Sequence, residues 1–215
     1  MINFKITFKV KMFPYRRQIS SDNSCLFNAI SYCVDKINHN DNSANFYRNI
    51  VANEINNNKL KYNTTFLGMP NDEYQTHILN PDNWGGGIEL DILANYIKVQ
   101  ISVFDIKNLK TLNFGESNDY SEVIYLLYDG IHYDSLIITY DPQYSIDLDM
   151  TRFDINDLEI PKLLFDLVVN LHGEGSYVDV HGMKLKCEDC NKVFMGQPAA
   201  LDHAQKTGHQ NLCQI

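Results

Sequence analysis

The chain has 215 residues and a mass of 24.8 kDa, room for one medium domain plus a small second unit, and 44% of its residues are hydrophobic. A formal net charge of −9 argues against phosphate-led binding to nucleic acid, which needs cations. The five cysteines, with a single CxxC pair, do not form the even framework of a secreted disulfide scaffold. No N-terminal apolar core resembles a secretion signal, and no apolar run approaches the roughly 18 residues of a spanning helix. The expected location is the cytoplasm, with the nucleus also open to it, and no membrane association is expected.

In chain order, residues 2–10 alternate strictly, with Ile2, Phe4, Ile6, Phe8 and Val10 on one face, and predict a half-buried strand. Pro14 and the basic Tyr15-Arg16-Arg17 follow, and then the cysteine loop. From Leu26 the apolar positions 26, 29, 30, 33, 34 and 37 have helical spacing. Residues 38–45 are polar and predict a loop, and 46–55 a second helix. Residues 72–80 are helical up to Pro81, and a helix over 88–96 follows Trp84-Gly85-Gly86-Gly87. Residues 99–104 predict a strand. Val123 to Tyr128 is nearly all apolar and predicts a central strand buried on both faces. Asp129-Gly130 signals a hairpin turn, and 132–139 returns as a strand. A helix is expected over 155–171, interrupted at Pro161, with His172 to Gly175 as a linker. The order is helices first and then a small sheet, an α+β class with the Cys25 helix packed on the sheet.

Cys25 opens the first of these helices, where unpaired N–H groups and the helix dipole favour a thiolate. Asp22 and Ser24 supply capping side chains there. The N–H groups beside Cys25 are placed to form an oxyanion hole, in which one such donor is worth about 3–4 kcal/mol. His132 begins a strand, and Asp134 shares its face two residues on. Cys25, His132 and Asp134 therefore form a candidate nucleophile, base and orienting carboxylate. Cys33 has the setting of an ordinary core residue.

The C-terminal segment carries Cys187-x2-Cys190-x12-His203-x5-His209, the ligand spacing of a C2H2 zinc finger. Phe194 occupies the core aromatic position, and Ala200 with Leu201 stands where a single leucine is usual. His181 is a less well-spaced ligand candidate. Between Cys187 and His209, Glu188, Asp189 and Asp202 outnumber Lys192 and Lys206, which favours a structural or protein-binding finger over a nucleic-acid reader.

Three blocks, Asp22-Asn23-Ser24-Cys25-Leu26-Phe27, Trp84-Gly85-Gly86-Gly87-Ile88-Glu89 and Tyr128-Asp129-Gly130-Ile131-His132-Tyr133-Asp134, together resemble the OTU (ovarian tumour) deubiquitinases. The likeness is greatest to the OTU1/YOD1 subfamily, which also ends in a zinc finger, and it covers residues 16–215. The resemblance implies a papain-like cysteine isopeptidase that cuts after the C-terminal Gly-Gly of ubiquitin in conjugates and polyubiquitin chains. It makes Cys25 the nucleophile and His132 the base, and it adds Asp22 as an active-site aspartate beside Asp134. It places Trp84, Gly85, Gly86, Gly87 and Ile131 along the substrate tail, where glycines admit a close backbone. An acidic enzyme also suits the arginines of that tail.

The expected layout is an N-terminal strand or extension (1–15), an OTU catalytic domain (16–150), a helical segment and linker (151–180) and a ββα finger (181–215). Zinc is expected as a structural ion held by Cys187, Cys190, His203 and His209, with no cofactor for catalysis. The subfamily's N-terminal UBX-like domain has no counterpart in the twenty or so residues before the cysteine loop, so direct p97/Cdc48 binding is not expected. The competing readings are a non-catalytic ubiquitin-binding module and a nucleic-acid-binding finger protein. The intact Cys25 and His132 weigh against the first and the acidic charge against the second.

Overall fold

The fold is built on the two strands richest in apolar residues. In the computed structural model, which describes residues 12–37, 41–141, 146–179 and 182–215, Glu122–Tyr128 and Tyr133–Thr139 pair antiparallel at the centre of a mixed sheet. In chain order the strands are β1 (Phe13–Arg17), β2 (Gln100–Asp105), β3 (Lys110–Phe114), β4 (Glu122–Tyr128), β5 (Tyr133–Thr139) and the short β6 (Phe153–Asp154). They are ordered β1-β5-β4-β2-β3, with β6 on β4. Among these described strands only β2 and β4 run parallel.

The period-two pattern of β4 divides the core. Ile124 and Leu126 face one layer, and Val123, Tyr125 and Leu127 face the other. The first layer is closed by α1 (Cys25–Asp35), α2 (Asp41–Asn57), α3 (Thr64–Leu67), α4 (Asn71–Leu79) and α5 (Gly87–Ile97). α1 buries Leu26, Phe27, Ala29, Ile30, Tyr32 and Cys33 almost completely. The second layer is closed by α6 (Glu159–Gly173), through Ile160, Leu164 and Val168. Sheet and helices thus form the expected α+β core, with α1 laid against β5.

Several expectations change. The strand expected over residues 2–10 falls outside the described residues. Phe13–Arg17, beyond the strand expected over residues 2–10, is an edge strand on β5 among the described residues, a place where Pro14 costs little because an edge need not donate every N–H. α2 starts at Asp41 rather than in the mid-forties, because Ala44 joins Tyr47, Val51 and Ile55 in the buried stripe. β3 and α3 were not foreseen. α6 begins at Glu159 and is not interrupted at Pro161, which lies in the first turn, where a backbone N–H has no helical partner to lose. The same helix runs through His172 and Gly173, so the expected linker begins later.

The C-terminal unit comprises β7 (Lys184–Cys187), β8 (Val193–Met195), α7 (Gln197–Thr207) and β9 (Leu212–Gln214). The ββα expectation gains a third strand, because β9 pairs with β7 on the side away from β8. Among the described residues no helix is long and apolar enough to cross a membrane.

Candidate active site

The cysteine loop is held by its own side chains. Asp22 Oδ1 accepts the Ser24 N–H at 2.8 Å, and the Asp22 carboxylate also accepts Asn28 Nδ2 at 3.1 Å. Asp22 therefore braces the turn rather than capping the helix, and Ser24 at the N-cap makes no side-chain capping bond. The expected pair of caps is corrected in this sense. The Cys25 N–H, expected to be free, makes a long 3.3 Å bond to the Asp22 carbonyl.

Cys25 is the first residue of α1 and is 7% exposed. Its side chain meets the imidazole of His132, which stands just ahead of β5. Nε2 of that ring lies 3.2 Å from Asp134 Oδ1 and 3.2 Å from the Ile19 carbonyl, which leaves Nδ1 for the thiol. Asp134 in turn accepts the Ile19 N–H at 2.7 Å and Arg16 Nε at 2.6 Å. The Asp134 contact, followed by that of Cys25, outweighs burial and raises the His132 pKa to about 10. Burial pushes the Asp134 carboxyl up, but the bonds from His132, Ile19 and Arg16 prevail and hold it below the ordinary carboxylate value. The pair is thus an imidazolium on a carboxylate at neutral pH. Asp22 and Asp134 occupy different stations, one in the cysteine loop and one behind the ring.

Two further residues set the imidazole. Asp129 Oδ1 accepts the backbone N–H of His132 at 2.8 Å and of Ile131 at 3.2 Å. Arg16 reaches Asp129 with Nη2 at 3.4 Å while holding Asp134 with Nε, so one guanidinium fixes the ring from its side-chain partner and from its backbone. The sequence signalled Asp129 only as a turn residue and Arg16 not at all, because the β1–β5 register that joins them spans more than a hundred residues.

A narrow cavity of about 110 Å³ opens at Cys25, lined by Asn23, Leu26, Trp84, Gly85, Gly86, Tyr128, Ile131 and Tyr133. Trp84, Gly85, Gly86 and Ile131 thus meet at the thiol, whereas Gly87 begins α5 and faces Phe114. The glycine wall is fixed by Glu89, 2% exposed, whose carboxylate accepts the Gly86 N–H at 2.7 Å and Tyr74 Oη–H at 2.7 Å. Across the cleft, the Trp84 indole N–H donates to Asn23 Oδ1 at 2.8 Å.

In the C-terminal unit, the ligand atoms of Cys187, Cys190, His203 and His209 lie within 4.8 Å of one another. Cys190 Sγ is 3.4 Å from His203 Nε2, and Cys187 Sγ is 3.7 Å from His209 Nδ1. Two sulfurs and two imidazole nitrogens at such separations match a tetrahedral site with bonds of about 2.0–2.3 Å. The five-residue gap between the histidines follows from the end of α7. Gly208 takes a left-handed φ of 77° and turns the chain so that His209 presents Nδ1 from beyond the helix. His181 is outside the described residues.

Comparison with known proteins agrees with this geometry. Residues 20–143 match the family described as OTU-like cysteine protease. Residues 181–215 match the family described as ubiquitin thioesterase OTU1, C-terminal C2H2-type zinc finger. The chain is 42% identical over 200 residues to an ovarian tumor domain-containing deubiquitinating enzyme 2 of Arabidopsis thaliana, covering 91% of this chain and 95% of that one. It is 38% identical to a ubiquitin thioesterase OTU1 of Dictyostelium discoideum, covering 93% of this chain and 61% of that one. A solved ovarian tumor domain in complex with ubiquitin superposes with a TM-score of 0.67 at 30% identity, covering 80% of this chain and 99% of that chain.

Proposed function

The chain belongs to the OTU-like cysteine proteases, and from that premise we propose that it is a thiol-dependent ubiquitin hydrolase acting on ubiquitin conjugates and polyubiquitin chains. The observation that carries this reading is His132 set between Cys25 and the Asp134–Arg16 pair at the end of a cavity walled by glycine.

The extended C-terminal glycines of ubiquitin lie between Gly85-Gly86 and Ile131. The Cys25 sulfur, its proton transferred to His132, attacks the carbonyl carbon of the last glycine. The Cys25 N–H exchanges its long bond to Asp22 for the developing oxyanion. The His132 imidazolium gives its proton to the departing lysine amine, and the C–N bond breaks to leave a thioester on Cys25. Neutral His132 then takes a proton from water, the hydroxyl adds to the thioester, and the ubiquitin carboxylate departs as sulfur is released. Asp134 stabilises the imidazolium throughout and holds the ring orientation.

The metal of the C-terminal unit is zinc in this proposal, a structural ion that supplies the folding free energy of that unit. The chemistry itself is carried by thiol and imidazole. A nucleophile that must stay reduced suits the cytoplasm or nucleus, and nucleic acid has no place in the scheme. The test is diubiquitin cleavage by wild type and by Cys25→Ala. Wild type should release monoubiquitin and the variant none, and a Cys25→Ala protein retaining a tenth or more of the rate would overturn the assignment.

A further inference from the structure

Arg48, at the middle of α2, is 0% exposed and is the largest fully buried side chain among the described residues. A buried cation is costly unless its donors are satisfied. Among the described residues no carboxylate is in hydrogen-bond contact with it, and its Nε is buried without a hydrogen-bond partner, so the two terminal nitrogens carry its bonds. Its Nη1 donates to the carbonyls of Ile78 at 2.8 Å and Asn80 at 3.2 Å. Its Nη2 donates to the carbonyls of Asn83 at 2.8 Å and Asn23 at 3.0 Å, to Ser24 Oγ at 3.0 Å and, more weakly, to Pro81 at 3.4 Å.

These acceptors fall into two sets. Asn23 and Ser24 immediately precede Cys25. Ile78, Asn80, Pro81 and Asn83 lead from α4 directly into Trp84-Gly85-Gly86. The guanidinium also lies 4.4 Å over the ring of Phe27, and a Cβ on Gly85 would sit 3.0 Å from that same ring. One side chain therefore spans the two walls of the cavity at Cys25, and the Trp84–Asn23 bond crosses the same gap at the surface.

We propose that Arg48 is a positioning residue, a clamp that sets the cysteine loop and the glycine wall at the separation the substrate tail requires. The inference rests on the proposed function. A planar fork with several donors can serve both loops at once, which the single ammonium of lysine cannot do. Among the described residues, the imidazole side of the site, held by Asp134, Asp129 and Arg16, has no bond to this clamp.

The test compares wild type and Arg48→Lys in two assays, cleavage of a fluorogenic ubiquitin C-terminal amide and alkylation of Cys25 by iodoacetamide, followed by peptide mass spectrometry. The clamp predicts a thirtyfold or greater loss of kcat/KM on ubiquitin, while alkylation of Cys25 stays within threefold and keeps its pH profile. A folded variant with kcat/KM within twofold of wild type, or with both rates falling together, would overturn it. If Arg48→Lys does not fold, Ser24→Ala removes the one side-chain acceptor of the clamp. A threefold or greater loss of ubiquitin cleavage with unchanged alkylation then supports it, and no loss overturns it. A wild type that does not cleave ubiquitin would count against the proposed function instead. Amide hydrogen exchange would then read the clamp, rising tenfold in residues 20–24 and 80–87 of Arg48→Lys with α6 unchanged if it holds, and unchanged throughout if it does not.

Discussion

His132 Nε2 lies 3.2 Å from Asp134 Oδ1, while the carboxylate of Asp22 accepts from Ser24 and Asn28. The two aspartates are therefore separable by mutation. Asp134→Asn should lower kcat/KM by roughly a hundredfold or more, because the ring loses its orienting anion. Asp22→Ala should cost about 1–2 kcal/mol of loop stability and roughly tenfold in rate. Steady-state kinetics with thermal melts on both variants would check the order.

Arg16 ties Asp134 to Asp129. Arg16→Ala should lower activity and shift the alkaline limb of the rate profile downward, because Asp134 and the His132 backbone both lose their anchor. Arg16→Lys keeps the charge without the fork and should recover only part of the rate.

The pH dependence has a definite sign. His132 is raised from an ordinary value near 6.5 to about 10, so its ionised contact stabilises the fold fully below about pH 6.5. That stabilisation declines as pH rises and is gone above about pH 10. The stability difference between wild type and His132→Asn should narrow over that window, as read by denaturant melts at a series of pH values. Asp134, held low, contributes above its ordinary value near 3.8 and loses its contribution as acid protonates it below that.

The glycines separate packing from substrate access. Gly85→Ala would press a methyl on the buried Phe27 and should destabilise by about 1–3 kcal/mol. Gly86 lines the cavity, and a methyl added there would meet no atom within 4 Å. Gly86→Ala should therefore melt like wild type yet cleave ubiquitin substrates at least tenfold more slowly, as the methyl narrows the path of the tail.

Among residues 182–215 only Cys187, Gly196, Ala200 and His203 are buried, and two of these are ligands. That core is too small to fold a unit unaided. A strong chelator should abolish the order of β7, β8, β9 and α7 while the sheet and α1–α6 keep their melting transition, and NMR would distinguish this from a cooperative loss of the whole fold.

What was legible in the sequence had a strong local period or a fixed spacing. β4 and β5 are apolar runs around a turn, α1 carries a clear stripe, and the four metal ligands sit at set gaps. The overlooked elements lack such a signal. β3 has four exposed residues out of five, and β1 contains Pro14 and two arginines whose role comes only from its register with β5. The roles of Arg16 and Arg48 escaped notice for the same reason, since each acts through partners far away in the chain or through loop carbonyls that no side-chain pattern reveals, whereas Glu89 acts locally on the Gly86 N–H three residues back. Residue type and order identified Cys25 and His132 as a pair worth testing, and tertiary structure divided the work between Asp22 and Asp134.

The most direct test of the central claim is reaction with ubiquitin carrying a thiol-reactive electrophile at its C-terminus, followed by intact-mass and peptide mass spectrometry. Wild type should form a one-to-one adduct on Cys25, and Cys25→Ala none. A folded, zinc-loaded wild type that forms no adduct, or one modified at another cysteine, would contradict the account.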